Sequence, residues 1–283
     1  MSAIFGPAGS SEDFLKKYKS SLEMPKYLSE LGLDAFEYQC GQGVRVSDSL
    51  GASLKANAEE YGITLSLHAP YFISLSSIEK EKRDKSIDYI LQSAAAATKM
   101  GAERIVIHSG SCAKLTREAA LELACDTLKR AREAAVSQGF LNIRFCPETM
   151  GKINQLGNLD EVLTLCELDE SFIPCIDFGH LNARTLGAVN SKEAFEYILN
   201  SIENRLGAER LRSFHSHFSK IEYTQKGGEL RHLTFDDMVF GPDYEPLMEL
   251  IAKKGLSPTF ICESAGTQSH DALAMKNAYL GYK

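Results

Sequence analysis

Stretches with apolar residues at helical spacing alternate along the chain with short apolar runs. Glycines mark several of the changes: Gly32 precedes the run 35–38, Gly62 the run 63–67, Gly101 the run 104–107, Gly139 the run 141–145 and Gly255 the run 258–262. Glycine at a helix end takes the left-handed cap that other residues resist. The runs that follow are rich in β-branched and aromatic residues, as strands prefer. Runs 3–5, 172–176 and 211–214 fit the same pattern. Between the runs, helical spacing predicts helices near 12–30, 48–61, 78–100, 115–137, 158–168, 192–204, 243–253 and 270–281. Ser76 and Glu79 have the spacing of a capping box at the start of one of them.

Eight strands alternating with helices over 283 residues predict an α/β fold, a single (β/α)8 TIM barrel spanning 1–283. A doubly wound open sheet shares the periodicity. No GxGxxG follows the first strand and no P-loop occurs, so that alternative loses its nucleotide-binding support. At 44% hydrophobic and 24% charged, the composition is that of a globular core with a polar surface. No apolar run approaches the roughly 20 residues that span a bilayer. The N-terminus lacks a basic, then apolar leader, so a cytoplasmic setting without membrane or implied protein partner is expected. The seven cysteines are scattered with no CxxC pair, which predicts free thiols. With 31 Lys+Arg against 38 Asp+Glu the net charge is −7, which argues against coating nucleic acid by charge alone but not against an enzyme with one local basic groove. The run 79–85 alternates in sign and reads as a solvated helix face.

The chemistry lies where the strands end. His68 follows the third run, His108 the fourth, Glu148 the fifth, Asp177 the sixth with His180 three residues on, His215 and His217 the seventh, and Glu263 the eighth. In a barrel these residues share the C-terminal mouth, where barrel enzymes keep their sites. Carboxylates and imidazoles converging there require a cation to balance them. Mixed nitrogen and oxygen donors suit zinc, with manganese or iron as alternatives. A catalytic zinc takes about three protein ligands and a water, so this many donors imply two or three ions. Cys146, Cys175 and Cys262 read as small strand residues.

At these residues the chain resembles the endonuclease IV family of abasic-site DNA repair enzymes (abasic-site endonuclease family 2), within the wider xylose-isomerase-like barrel superfamily. His68-Ala69-Pro70-Tyr71-Phe72-Ile73-Ser74-Leu75 is similar to that family's His-x-x-Tyr-x-Ile-Asn-Leu signature. His108-Ser109-Gly110-Ser111 is similar to its His-Pro-Gly-Ser turn, and Asp177-Phe178-Gly179-His180 keeps its Asp-x-x-His spacing. His215 followed by Ser219-Lys220 resembles its His-x-Asn-Asp-x-Lys stretch. The resemblance implies three ions: one on His68, His108 and Glu148; a second on Glu148, Asp177, His215 and Glu263; a third on His180 and His232. The family's further acidic ligand, two residues before the final His, falls on Leu230 here, and Glu229 is the nearest carboxylate. The loop at 41–45 lacks the family's Lys/Asn/Arg/Trp-rich character.

Two functions follow. The resemblance implies hydrolysis of double-stranded DNA at abasic sites to leave a 3′-hydroxyl. Glu148 and Glu263 would be the catalytic carboxylates that position and deprotonate water. Tyr71 would stand beside the damaged nucleotide, and Arg45 and Lys220 would contact phosphates. The alternative is a divalent-metal-dependent sugar isomerase or epimerase, in which Glu148, Asp177, His215 and Glu263 hold one ion. The acidic balance and the altered loop favour the sugar, while His68, His108 and His232 favour the nuclease. A metal-binding protein without catalysis is the third reading.

Overall fold

A computed structural model describes residues 2–283. The first half runs β1 (Ile4–Pro7), α1 (Glu12–Lys17), α2 (Met24–Leu31), β2 (Ala35–Gln39), α3 (Asp48–Tyr61), β3 (Thr64–His68), α4 (Lys80–Met100), β4 (Arg104–His108), α5 (Arg117–Ser137) and β5 (Arg144–Glu148). The second half runs α6 (Leu159–Cys166), β6 (Cys175–Asp177), α7 (Phe178–Arg184), α8 (Lys192–Leu206), α9 (Ala208–Arg212), β7 (His215–Phe218), β8 (Ile221–Thr224), β9 (Gly228–His232), α10 (Glu245–Lys253), β10 (Thr259–Cys262) and α11 (Gln268–Gly281). Eight parallel strands form one sheet in the order β1-β10-β7-β6-β5-β4-β3-β2. The barrel closes where β1 meets β2: Asp34 N donates to Phe5 O (2.9 Å) and Gly9 N to Glu37 O (3.0 Å). Gly6 permits this seam, because a Cβ there would sit 1.7 Å from Ala35 O. The chain therefore forms the expected barrel rather than an open sheet.

The large apolar core lies between the strands and the helix ring, where Phe5, Phe36, Phe145, Phe178, Phe214 and Phe260 are buried. The lumen is different. Barrel interiors are usually filled by branched aliphatics. Here Ala8, Ala35 and Ile261 make only a small apolar cluster, and Glu37, Ser66, His215 and His217 are buried beside it. Glu37 on β2 reaches His215 on β7 across the lumen at 2.9 Å. The lumen thus carries a polar column that ends at the mouth.

Several elements depart from the sequence expectation. The stretch 12–30 is two helices, with Pro25 in the first turn of α2. Residues 141–143 precede β5, and 172–174 precede β6. Residues 211–212 end α9, so the seventh strand begins at His215 rather than at 211. Glu148 and Asp177, expected to follow their strands, are the last residues of β5 and β6, and His215 and His217 lie within β7. The Ser76–Glu79 capping box does not form: Ser76 is buried and its hydroxyl donates to Ser111 O (2.8 Å). A capping box forms instead at Asn158 and Glu161. The β8–β9 hairpin was not expected, although Gly227-Gly228 between alternating residues is a turn signal.

Candidate metal centre

Parallel register sets the mouth residues level. His108 pairs with Glu148, Gln39 with His68, and Asp177 with His217. Glu148 is the hub. Its Oε2 lies 3.4 Å from His68 Nε2 and 3.2 Å from His108 Nε2. Its Oε1 lies 3.1 Å from His217 Nδ1 and 3.4 Å from His180 Nδ1. One carboxylate thus faces four imidazoles, two on each oxygen. Asp177 caps α7: its Oδ1 accepts from His180 N at 2.7 Å. The same residue turns Oδ2 to 3.2 Å from the His180 ring. Helix capping here positions an imidazole in the site. Glu263, just after β10, comes within 3.5 Å of His217 Nδ1.

The hairpin brings a further donor set. Tyr223 pairs with Glu229 and Glu222 with Arg231, so Leu230 has no partner across the ladder. The extra residue is a β-bulge, and it puts Glu229 and His232 on one face although they are three apart. Leu230, where the family's acidic ligand would fall, points outward and is 55% exposed. Glu229 Oε2 lies 3.5 Å from His180 Nε2. The rings of His180 and His232 are 5.5 Å apart, centre to centre.

Four donor groups result, three at the mouth (His68, Glu148 and His217; Glu148, Asp177, His217 and Glu263; His180, Glu229 and His232) and one deeper, Cys175, His215 and His217. Within each, one donor atom per residue lies within 4.8 Å of every other. His108 adjoins the first through Glu148. The mouth cavity has a volume of about 760 Å³ and is lined by His68, His108, Glu148, His180, His232 and Glu263, among others.

The seventh strand sets its two histidines at different depths. His215 was expected to be the ligand, but it lies two residues below the rim with Nε2 on Glu37 Oε2 at 2.9 Å. Burial outweighs that carboxylate and pushes its imidazole down to about 4. The rim position is His217, because residues two apart on a strand face the same way at different depths. Lys220 also differs from expectation. It is buried, with Nζ donating to Asp237 O (2.7 Å) and paired with Asp243 (3.0 Å), so it is committed to the loop after the hairpin rather than held out for a phosphate. Arg45 is exposed and lines a neighbouring pocket with Tyr71. The Tyr71 ring is half exposed, stacks on His108 at 5.4 Å, and its hydroxyl donates to Gln39 Oε1 at 3.0 Å. Lys152, which the sequence reading passed over, is exposed on the mouth cavity. Glu37 was also missed, since it stands inside a strand with no motif around it.

The carboxylates and imidazoles of the mouth shift one another strongly. Burial opposes ionisation of Glu148, but His217 and His108 outweigh it and hold its carboxyl well below the usual range. Glu263 is held at about 2, with burial overcome chiefly by His217. Asp177 is pushed up by burial, with His180 opposing. Burial opposes protonation of His180, yet Asp177 and Glu148 raise it well above its usual value. His217 is raised likewise, with burial outweighed by Cys175, Glu263 and Glu37. Burial pushes the His108 imidazole down.

The donors fit divalent metal. Glu148 Oε2 and Asp177 Oδ2 are buried with no hydrogen-bond partner, an arrangement that is costly unless a cation faces them. His68 Nδ1 meets Ala69 O at 2.7 Å and His180 Nδ1 meets Thr149 O at 2.9 Å. A carbonyl only accepts, so each ring carries a proton on Nδ1, and Nε2 is the nitrogen that an ion would engage. All seven cysteines are free. Burial pushes the Cys146 thiol up to about 12, which suits an inert strand residue better than a ligand.

The family model for xylose isomerase-like TIM barrels matches residues 25–278. The chain belongs to the xylose isomerase-like TIM barrel family. An uncharacterized relative from Methanocaldococcus jannaschii is 35% identical over 276 residues, 96% of each chain. A probable endonuclease 4 from Mycoplasma pneumoniae is 28% identical over 217 residues, 75% of this chain and 71% of its own length. Two solved structures show the family's fold across 99% of this chain. Endonuclease IV from Thermus thermophilus superposes with a TM-score of 0.69 at 18% identity, over 100% of its own chain. A D-tagatose 3-epimerase-like protein superposes with 0.72 at 19% identity, over 96% of its own. Among the described residues no helix is long and apolar enough to cross a membrane.

Proposed function

We propose that the chain is a metal-dependent phosphodiesterase that cleaves double-stranded DNA at abasic sites and leaves a 3′-hydroxyl. The observation that carries this reading is the surplus of donors. Glu148, Asp177, His217 and Glu263 suffice for one ion, yet His68 and His108 face Glu148 from the other side, and His180, Glu229 and His232 form a further set. A single ion polarising a sugar carbonyl needs only the first four. Likeness to probable endonuclease 4 proteins supports the same reading.

When bound, divalent ions supply an activated water and charge relief on the phosphate; zinc suits these donors. His68, His108 and Glu148 would hold one, Glu148, Asp177, His217 and Glu263 a second, and His180, Glu229 and His232 a third. Glu263 lines the cavity and is ionised, so it would accept a hydrogen bond from a water approaching through the mouth and orient it. Glu148, fully buried, keeps four imidazoles turned to one point. Lys152 at the rim meets a backbone phosphate, and the exposed Tyr71 ring stacks against an unstacked nucleotide or its gap.

One observation favours the sugar epimerase reading. The mouth cavity is the size of a small-molecule site, on a chain of net charge −7. The test is incubation with a duplex carrying one abasic site, with and without chelator. Chelator-sensitive incision leaving a 3′-hydroxyl is expected. No incision by metal-loaded protein overturns the proposal and directs the search to ketoses and aldoses.

A further inference from the structure

We infer that Glu37 is a positioning residue for the metal centre: a carboxylate in the barrel lumen that aims the His217 ring at the ions. The inference rests on the metal reading of the mouth and is independent of the substrate. Glu37 is fully buried. Its Oε1 lies 2.9 Å from His217 Nε2, the ring nitrogen opposite the one that faces Glu148, as a charge contact without hydrogen-bond alignment. The other nitrogen, Nδ1, faces Glu148 and Glu263. A negative charge this close to Nε2 favours the proton on that nitrogen and leaves the Nδ1 lone pair for an ion. A carboxylate behind a ligating imidazole fixes its tautomer and raises its basicity.

Glu37 is itself held from three strands. His215 Nε2 lies 2.9 Å from Oε2, and Ser66 Oγ donates to the same oxygen at 2.9 Å. Gln39 Nε2 donates to Oε1 at 3.4 Å, and Gln39 in turn accepts from Tyr71 at the mouth. This explains two features that a ligand list leaves over. His215 stands one layer below the rim because it braces Glu37, and the lumen is polar because it contains the support of the centre.

The test is titration of metal-free protein with Co²⁺, reading affinity and the visible d–d spectrum, for wild type and Glu37→Gln. Glu37→Gln keeps the shape and removes the charge. It should weaken Co²⁺ binding by about 10- to 100-fold and shift the spectrum, while circular dichroism stays unchanged. Affinity within twofold of wild type and the same spectrum overturn the inference. Where Glu37→Gln does not fold, Glu37→Asp is titrated instead. It keeps the buried charge but withdraws it from His217, and the same loss is expected and the same null result overturns. If wild type itself binds no Co²⁺, the metal reading falls first. If wild type binds and the variant matches it, only the role of Glu37 falls.

Discussion

Glu148 faces four imidazoles through two oxygens, and no other side chain in the mouth is shared so widely. Glu148→Gln should therefore lose at least one ion and lower incision by more than about 100-fold, since even outer-shell changes cost 10–100-fold. Far-ultraviolet circular dichroism should stay that of a barrel. Elemental analysis beside a rate measurement checks this, and full metal with retained rate would refute the hub. The pH dependence follows from the same residues. His180 and His217 are raised above their usual values, so the metal-free protein holds protons on them near neutral pH. An ion must displace those protons, so affinity rises with pH and falls as pH drops. Calorimetric titration in buffers of different ionisation enthalpy should show proton release. The residues legible in the sequence were those at strand ends. His217 was noticed there, but the ligand role was placed on His215, because register within a strand is set by its neighbours. Glu37 was invisible, since a lone acidic residue inside a strand carries no spacing signal.

At the scale of elements, the hairpin and α7 decide whether the third set exists. The bulge at Leu230 turns Glu229 rather than residue 230 toward His180 and His232. Glu229→Ala should lower the metal count by one. Leu230→Ala should leave it unchanged and alter stability by no more than about 0.5 kcal/mol, as for an exposed site. Metal analysis with thermal melts distinguishes the two. The strand–helix rhythm was readable because glycine caps and apolar runs are local signals. The hairpin was overlooked because its strands are short and polar on one face. The β5 and β6 boundaries slipped because apolar residues before a strand pack as well as those within it.

At the scale of the molecule, closure of the barrel sets the mouth geometry. Gly6→Ala places a methyl group against Ala35 O and should destabilise the fold by about 3 kcal/mol or more, measured by denaturant melts. On the nuclease reading, the charge of −7 leaves DNA to be met through a local rim rather than a general field. Binding of duplex should still weaken by at least ~10-fold between about 50 and 200 mM salt, whereas a neutral sugar would show little change. The measurement that tests the central claim most directly is the number of divalent ions per chain in protein saturated with zinc and freed of excess, read by native mass spectrometry. The account predicts more than one ion, with three when Glu229 and His232 are intact. A single ion, held by Glu148, Asp177, His217 and Glu263, would contradict it and turn the centre to sugar chemistry.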